Sequence, residues 1–244
     1  MTAVLLAIDT STEQCSVALK VGDKIYQRAA ITPREHSQRV LGFVDEVLAE
    51  GGVTLAEVEG IVCGYGPGSF TGVRIGVAIC QGLAFSHTLP VYPVSTLAAL
   101  AQQAVRMHGA QCVLSAIDAR MNEVYLAAYT VQDEKLLETV APQMAPLAAV
   151  SEQSWWQTLT AGGDDAAELS RKQTIEVTGA GTGWQAYGEA LNPNQQVHVL
   201  DDVTLPLAVD MLTLAQSVQP LAAEQLEPLY VRNEVTWQKL PGRS

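Results

Sequence analysis

The chain is predicted to be an α/β protein of two duplicated halves with mixed sheets, each half opening on a strand meander and continuing into alternating helices and strands. An internal echo carries most of this: LLAIDTSTEQCSVALKVGDKI near the start returns as VLSAIDARMNEVYLAAYTVQDEKL from Val113. Both copies hold Ala-Ile-Asp, a polar turn and an apolar strand, with the same offset from Asp9 to Cys15 as from Asp118 to Val124. The apolar period then switches from strand-like to helix-like after each meander. Composition agrees, since 244 residues that are 48% apolar and 16% charged can bury a sizeable core.

In the first half, strands flank the Asp9 turn and a third follows the turn at Gly22-Asp23. Thr32-Pro33-Arg34-Glu35 reads as a capping box with proline at the first helical position, followed by Val40, Leu41, Val44, Val47 and Leu48 at helical spacing. Gly51-Gly52 ends that helix. A buried strand is expected at 60–64, a helix at 70–86, a strand at 91–94 and a helix at 95–107. The second meander turns at Gln132-Asp133, and helices at 152–159, 182–191 and 206–218 and a strand at 175–178 complete the second half. The boundary is placed near Met107 to Gln111, dividing the chain into 1–108 and 109–244.

A formal charge of −12 repels phosphate backbones, so the chain by itself is a poor nucleic-acid binder. Cys15, Cys63, Cys80 and Cys112 are far apart without metal-ligand spacing and read as reduced core residues of a cytoplasmic protein. The apolar start lacks a basic leader and meets Asp9 too early for a signal peptide. Pro90 and Pro93 split the uncharged stretch from Ile75 to Val105, which reads as helix, strand and helix, not a membrane span.

A duplicated meander with alternating helices and strands is the pattern of the actin-like ATPase superfamily (ASKHA, RNase H-like), whose nucleotide lies between the halves. Working members need bare backbone at the first turn so that amides approach phosphate closely. Here Asp9-Thr10-Ser11-Thr12-Glu13-Gln14 has no glycine, and neither does Asp118-Ala119-Arg120-Met121-Asn122-Glu123. Both cradles look degraded; Asp9 and Asp118 either cap strand ends and bond turn amides or keep a catalytic role. Gly179 and Gly181 lie where a strand meets a helix, but Trp184 stands where a dinucleotide fingerprint needs glycine. That segment is either a relic of an adenosine contact or an ordinary tight turn. Asp9, Thr10, Ser11, Asp118, Gly179 and Gly181 thus form a candidate vestigial nucleotide site.

The sharpest motif is GYGPGSFTGVRIG from Gly64 to Gly76, which is not a Walker A loop because no Gly-Lys-Ser/Thr follows. In the helix behind it, Gly72, Gly76 and Cys80 form a strip of small residues at four-residue spacing, while Val73, Ile75, Val77, Ile79 and Leu83 fill the other directions. Such a helix is buried on every side. The strip either receives a second helix from a partner or packs glycine on a strand of its own domain.

The run GPGSFTGVRIGVAICQGLAF, with AIDTSTEQCSVAL at the start and PLYVR at 228–232, resembles the TsaB (YeaZ) family across essentially the whole chain. The resemblance implies a non-catalytic subunit that pairs directly with TsaD, a larger relative that transfers a threonylcarbamoyl group to adenosine beside the anticodon of tRNAs reading ANN codons. It implies TsaE as a third component, tRNA contacted mainly through the partner, and ATP and a divalent metal used by the partner proteins and not by this chain alone. It places Phe70, Thr71, Gly72, Val73, Arg74, Gly76, Val77, Cys80 and Leu83 at the partner interface. Without a partner, the apolar helix is expected to form a homodimer. Where TsaD carries a metal-binding His-x-x-x-His pair, this chain has Thr96 and Leu100.

His36, His87, His108 and His198 lack ligand spacing and read as surface or turn residues. Ser69 and Thr71 read as helix-start hydroxyls, and Trp155-Trp156 as an aromatic pair half buried in the second half. Two other functions compete: a nucleotide-dependent small-molecule kinase or ATPase using Asp9 or Asp118, and a peptidase, for which no nucleophile, base or metal set is visible.

Overall fold

The computed structural model describes residues 4–160 and 176–231. Strands β1 (Val4–Asp9), β2 (Gln14–Val21) and β3 (Lys24–Ile31) form the first meander. They are followed by α1 (His36–Gly51), β4 (Gly60–Gly66), α2 (Phe70–His87), β5 (Val91–Ser95) and α3 (Thr96–His108). The second half comprises β6 (Cys112–Arg120), β7 (Glu123–Gln132), β8 (Lys135–Pro146), α4 (Leu147–Val150) and α5 (Ser154–Thr160). It continues through β9 (Val177–Ala180), α6 (Thr182–Leu191), β10 (Val197–Val199) and α7 (Ala208–Leu214).

The sheets run β3-β2-β1-β4-β5 and β10-β9-β6-β7-β8. In each, the meander pairs antiparallel and the next two strands add parallel, so β1 to β5 correspond in order to β6 to β10. The sequence echo is therefore a duplication of topology. Aliphatic residues of α1 show how periodicity becomes packing: Val40, Val44, Val47 and Leu48 enter the core against β2, each burial worth roughly 1.5–3 kcal/mol. Leu41, from the same periodic set, is 47% exposed.

Helices are exchanged between the halves. Leu97, Leu100, Ala101 and Ala104 of α3 pack with Val113, Ile117, Ala127 and Tyr129 of the second sheet. In return, Ala208, Met211 and Leu212 of α7 pack on Ala7, Ala18 and Val62 of the first.

Several expectations need correction. Thr32 does not cap α1: the N-cap is Glu35 without a side-chain bond, and Arg34 takes a left-handed φ of 68°. Thr32 is held elsewhere, its amide donating to the Glu13 carbonyl (2.9 Å) and its hydroxyl meeting His36 Nδ1 (3.1 Å). His36 is thus buried, not a surface residue, and burial lowers its pKa. β10 is a strand without a sequence-level counterpart, and the helix expected at 206–218 is the shorter α7 followed by a 3-10 turn. Ile175 and Arg232 lie outside the described residues. All four cysteines are buried and free, as expected, and Trp156 is buried with Trp155 half buried beside it, rings 6.1 Å apart.

Candidate functional site

β1 ends by delivering Asp9, Thr10 and Ser11 into the interior, all fully buried. The Ser11 hydroxyl donates to Asp9 Oδ1 (2.7 Å) and accepts from the Thr96 hydroxyl of α3 (3.0 Å). Asp9 Oδ2 has no hydrogen-bond partner among the described residues. Burial raises the Asp9 pKa to about 7, against the opposing effect of the Ser11 hydroxyl.

The Gly68–Gly72 segment closes over this turn. The Ser69 amide donates to the Ser11 carbonyl (2.7 Å), and the Thr10 hydroxyl donates to the Gly72 carbonyl (2.8 Å). A Cβ at Gly68 would collide with the Ser11 carbonyl oxygen, and one at Gly72 with that of Thr10. Bare backbone in this motif therefore serves an approach to the chain's own turn. The carbonyls of Thr10 and Ser11 are thus covered by the chain's own backbone.

The second turn is occupied differently. Asp118 Oδ1 accepts from the Arg120 amide (2.7 Å) and the Tyr187 hydroxyl (3.1 Å), while Oδ2 meets Arg120 Nη1 (3.0 Å). This is the side-chain turn bond of a strand-ending aspartate. The Trp184 indole covers Gly179 and donates to the Leu114 carbonyl (2.9 Å), and the Gly181 amide donates to the Val203 carbonyl (2.8 Å). The hydrogen bonds of Asp9 and Asp118 run to different neighbours and do not join the two carboxylates.

The small-residue strip of α2 faces inward, which corrects its assignment to a partner. Gly72, Val73, Gly76, Val77 and Cys80 are buried, and a Cβ at Gly76 would lie 2.7 Å from Thr10 Oγ1. Of the residues expected at the interface, Phe70 (72% exposed) and Thr71 reach the surface, with Arg74 and Leu83 half-buried. The outer face consists of Thr71, Arg74, Ile75, Ala78, Gly82 and Phe85, the last 75% exposed. Its direction had a signal in the sequence: Arg74 is the one charged residue of this helix. Ser69 caps the helix, its hydroxyl accepting from the Gly72 amide (3.3 Å). Thr96 and Leu100, the two positions compared with a His-x-x-x-His pair, are buried.

A family model described as TsaD, tRNA N6-adenosine threonylcarbamoyltransferase, matches residues 27–233. The tRNA threonylcarbamoyladenosine biosynthesis protein TsaB of Haemophilus influenzae is 42% identical over 243 residues, covering 98% of both chains. The chain belongs to the TsaB family. Its Escherichia coli member is 41% identical over 98% of this chain and 99% of its own. Among solved structures, YeaZ from Pseudomonas aeruginosa is 40% identical with a TM-score of 0.80, covering 93% of this chain and 99% of that one. A second Pseudomonas aeruginosa structure, described as an uncharacterized protein with similarity to peptidase YEAZ, gives 41% and 0.81 over 94% and 100%. The chain has the duplicated actin-like, RNase H-like fold, and no helix among the described residues is long and apolar enough to cross a membrane.

Proposed function

We propose that this chain is a non-catalytic cytoplasmic subunit that pairs with TsaD and supports formation of the threonylcarbamoyl group on adenosine beside the anticodon of tRNAs reading ANN codons. The observation that supports the reading is the closure of the Gly68–Gly72 segment onto Thr10 and Ser11, which covers the carbonyls of the glycine-free first turn with the chain's own backbone. ATP and a divalent metal then act on the partner proteins, TsaE joins the assembled pair, and tRNA is held mainly by TsaD. The outer face of α2 contacts TsaD and, in its absence, a second copy of the chain. The apolar exposed face and the charge of −12 support protein contact over direct tRNA contact.

Light scattering after size-exclusion chromatography tests this with Gly82→Leu. A Cβ at Gly82 meets nothing within 4 Å beyond its own stretch of helix, so the variant is expected to keep its fold and present a bulky group to the partner. Co-elution of wild type with TsaD and loss of the complex in the folded variant support the reading; an unaffected complex overturns the assigned face. A rise in melting temperature of the isolated chain with millimolar ATP and magnesium would overturn the non-catalytic assignment.

A further inference from the structure

Beside α2 runs a strap that ends in the PLYVR run of the sequence. The segment from Pro220 to Val231 follows the helix in the reverse direction. It begins against Ala84 and Phe85 at the helix's C-terminal end, where the two border a cavity of about 530 Å³. It continues as Gln81 Nε2 donates to the Leu226 carbonyl (2.8 Å), and its Leu229 amide donates to the Tyr65 carbonyl (2.8 Å). It ends with Tyr230, 61% exposed, beside the helix's first turns.

There the Arg74 guanidinium carbon lies 3.3 Å from the Phe70 ring centroid and 5.2 Å from that of Tyr230. Its Nη1 donates to the Phe70 carbonyl (2.9 Å). Two exposed rings and a carbonyl thus fix a long, flexible side chain before any partner arrives. Arg28, Arg39, Arg106 and Arg120 each meet a carboxylate of their own chain. Arg74 makes no ion pair among the described residues, although the chain holds 26 carboxylates against 14 lysines and arginines.

We infer that Phe70, Arg74 and Tyr230 form a preorganised anchor, shared between α2 and the strap, which receives a carboxylate side chain of the TsaD partner. The inference rests on the pairing reading above and adds its charged determinant and a second element of the surface. Charge complementarity selects the group: a guanidinium stacked on a ring offers its edge, and a carboxylate matches that fork with two hydrogen bonds. Contact continuous with Ile75, Ala78, Gly82 and Phe85 places this pair at the margin of an apolar face. That setting favours a protein partner, because desolvation strengthens the pair and the chain's net charge opposes an RNA phosphate.

Calorimetric titration of the full chain with TsaD tests it, with a thermal melt of each variant as folding control. Arg74→Ala is expected to weaken binding about 30-fold with an unchanged melting temperature, as an anchor arginine does. Arg74→Lys, which keeps charge but loses the stacked fork, and Tyr230→Ala, which removes the strap's share, should each weaken it about 10-fold. Wild-type binding with all three variants within about threefold overturns the anchor while leaving the pairing reading intact. Absence of wild-type binding overturns both. Loss of tRNA binding with TsaD affinity unchanged overturns the anchor in favour of a phosphate contact.

Discussion

Replacing Asp9 by asparagine should flatten part of the pH dependence of stability. The folded state raises this carboxyl from 3.8 to about 7, with burial as the largest cause. Because the folded pKa is the higher one, the folded chain keeps a proton that the unfolded chain has already released. Stability therefore falls as pH rises from about 4 to about 7 and levels off above. At 1.36 kcal/mol per unit the whole effect is about 4 kcal/mol, of which about 2–3 kcal/mol falls between about pH 5 and about pH 8. Asparagine retains an acceptor for the Ser11 hydroxyl but places an amide where Oδ2 has no partner, a cost of about 1–3 kcal/mol that does not titrate. The quantity to measure is the difference in unfolding free energy between variant and wild type across this range, from urea titrations. It should move in the variant's favour by about 2–3 kcal/mol on raising the pH. Parallel curves, constant within about 0.5 kcal/mol, would refute the assignment of a buried, proton-retaining Asp9.

Gly76→Leu should destabilise the fold by about 1–3 kcal/mol, because its Cβ meets the Thr10 hydroxyl, and any folded fraction should still bind TsaD; a stable variant that has lost TsaD would restore the strip to the interface. Arg106→Met should cost about 3 kcal/mol in chemical denaturation, since it strands Asp210, a fully buried carboxylate that Arg106 holds through bonds of 2.7 and 2.9 Å. Trp184→Phe removes the indole donor to the Leu114 carbonyl and part of the cover on Gly179, so a loss of about 2 kcal/mol is expected in the same assay.

The repeated Ala-Ile-Asp segments made the duplication readable, because period-two alternation and turn residues are local and both copies kept them. The absence of glycine from the turns at Asp9 and Asp118 was readable for the same reason, residue by residue. The orientation of α2 was marked only by the charge of Arg74, since the rest of the helix is apolar in nearly every direction and takes its face from a neighbour. Thr10 decided it, by placing its carbonyl and hydroxyl where only Gly72 and Gly76 admit them. Thr32 fell to a similar effect, with contacts to Glu13 and His36 replacing the local capping box. The strap that brings Tyr230 to Arg74 joins residues distant in sequence, so the PLYVR run was visible while the helix it packs against was not.

The reciprocal placement of α3 and α7 has a bearing on cooperativity. A fragment ending after α3 would leave Ala7, Ala18 and Val62 without the cover of Met211 and Leu212, and a fragment beginning at β6 would expose Val113, Ile117 and Ala127 where Leu97 and Leu100 belong. Neither repeat is thus a self-sufficient folding unit despite its complete five-stranded sheet. Duplication has been followed by mutual dependence, so heat or denaturant should melt both sheets in one transition, and the halves should become soluble only when produced together.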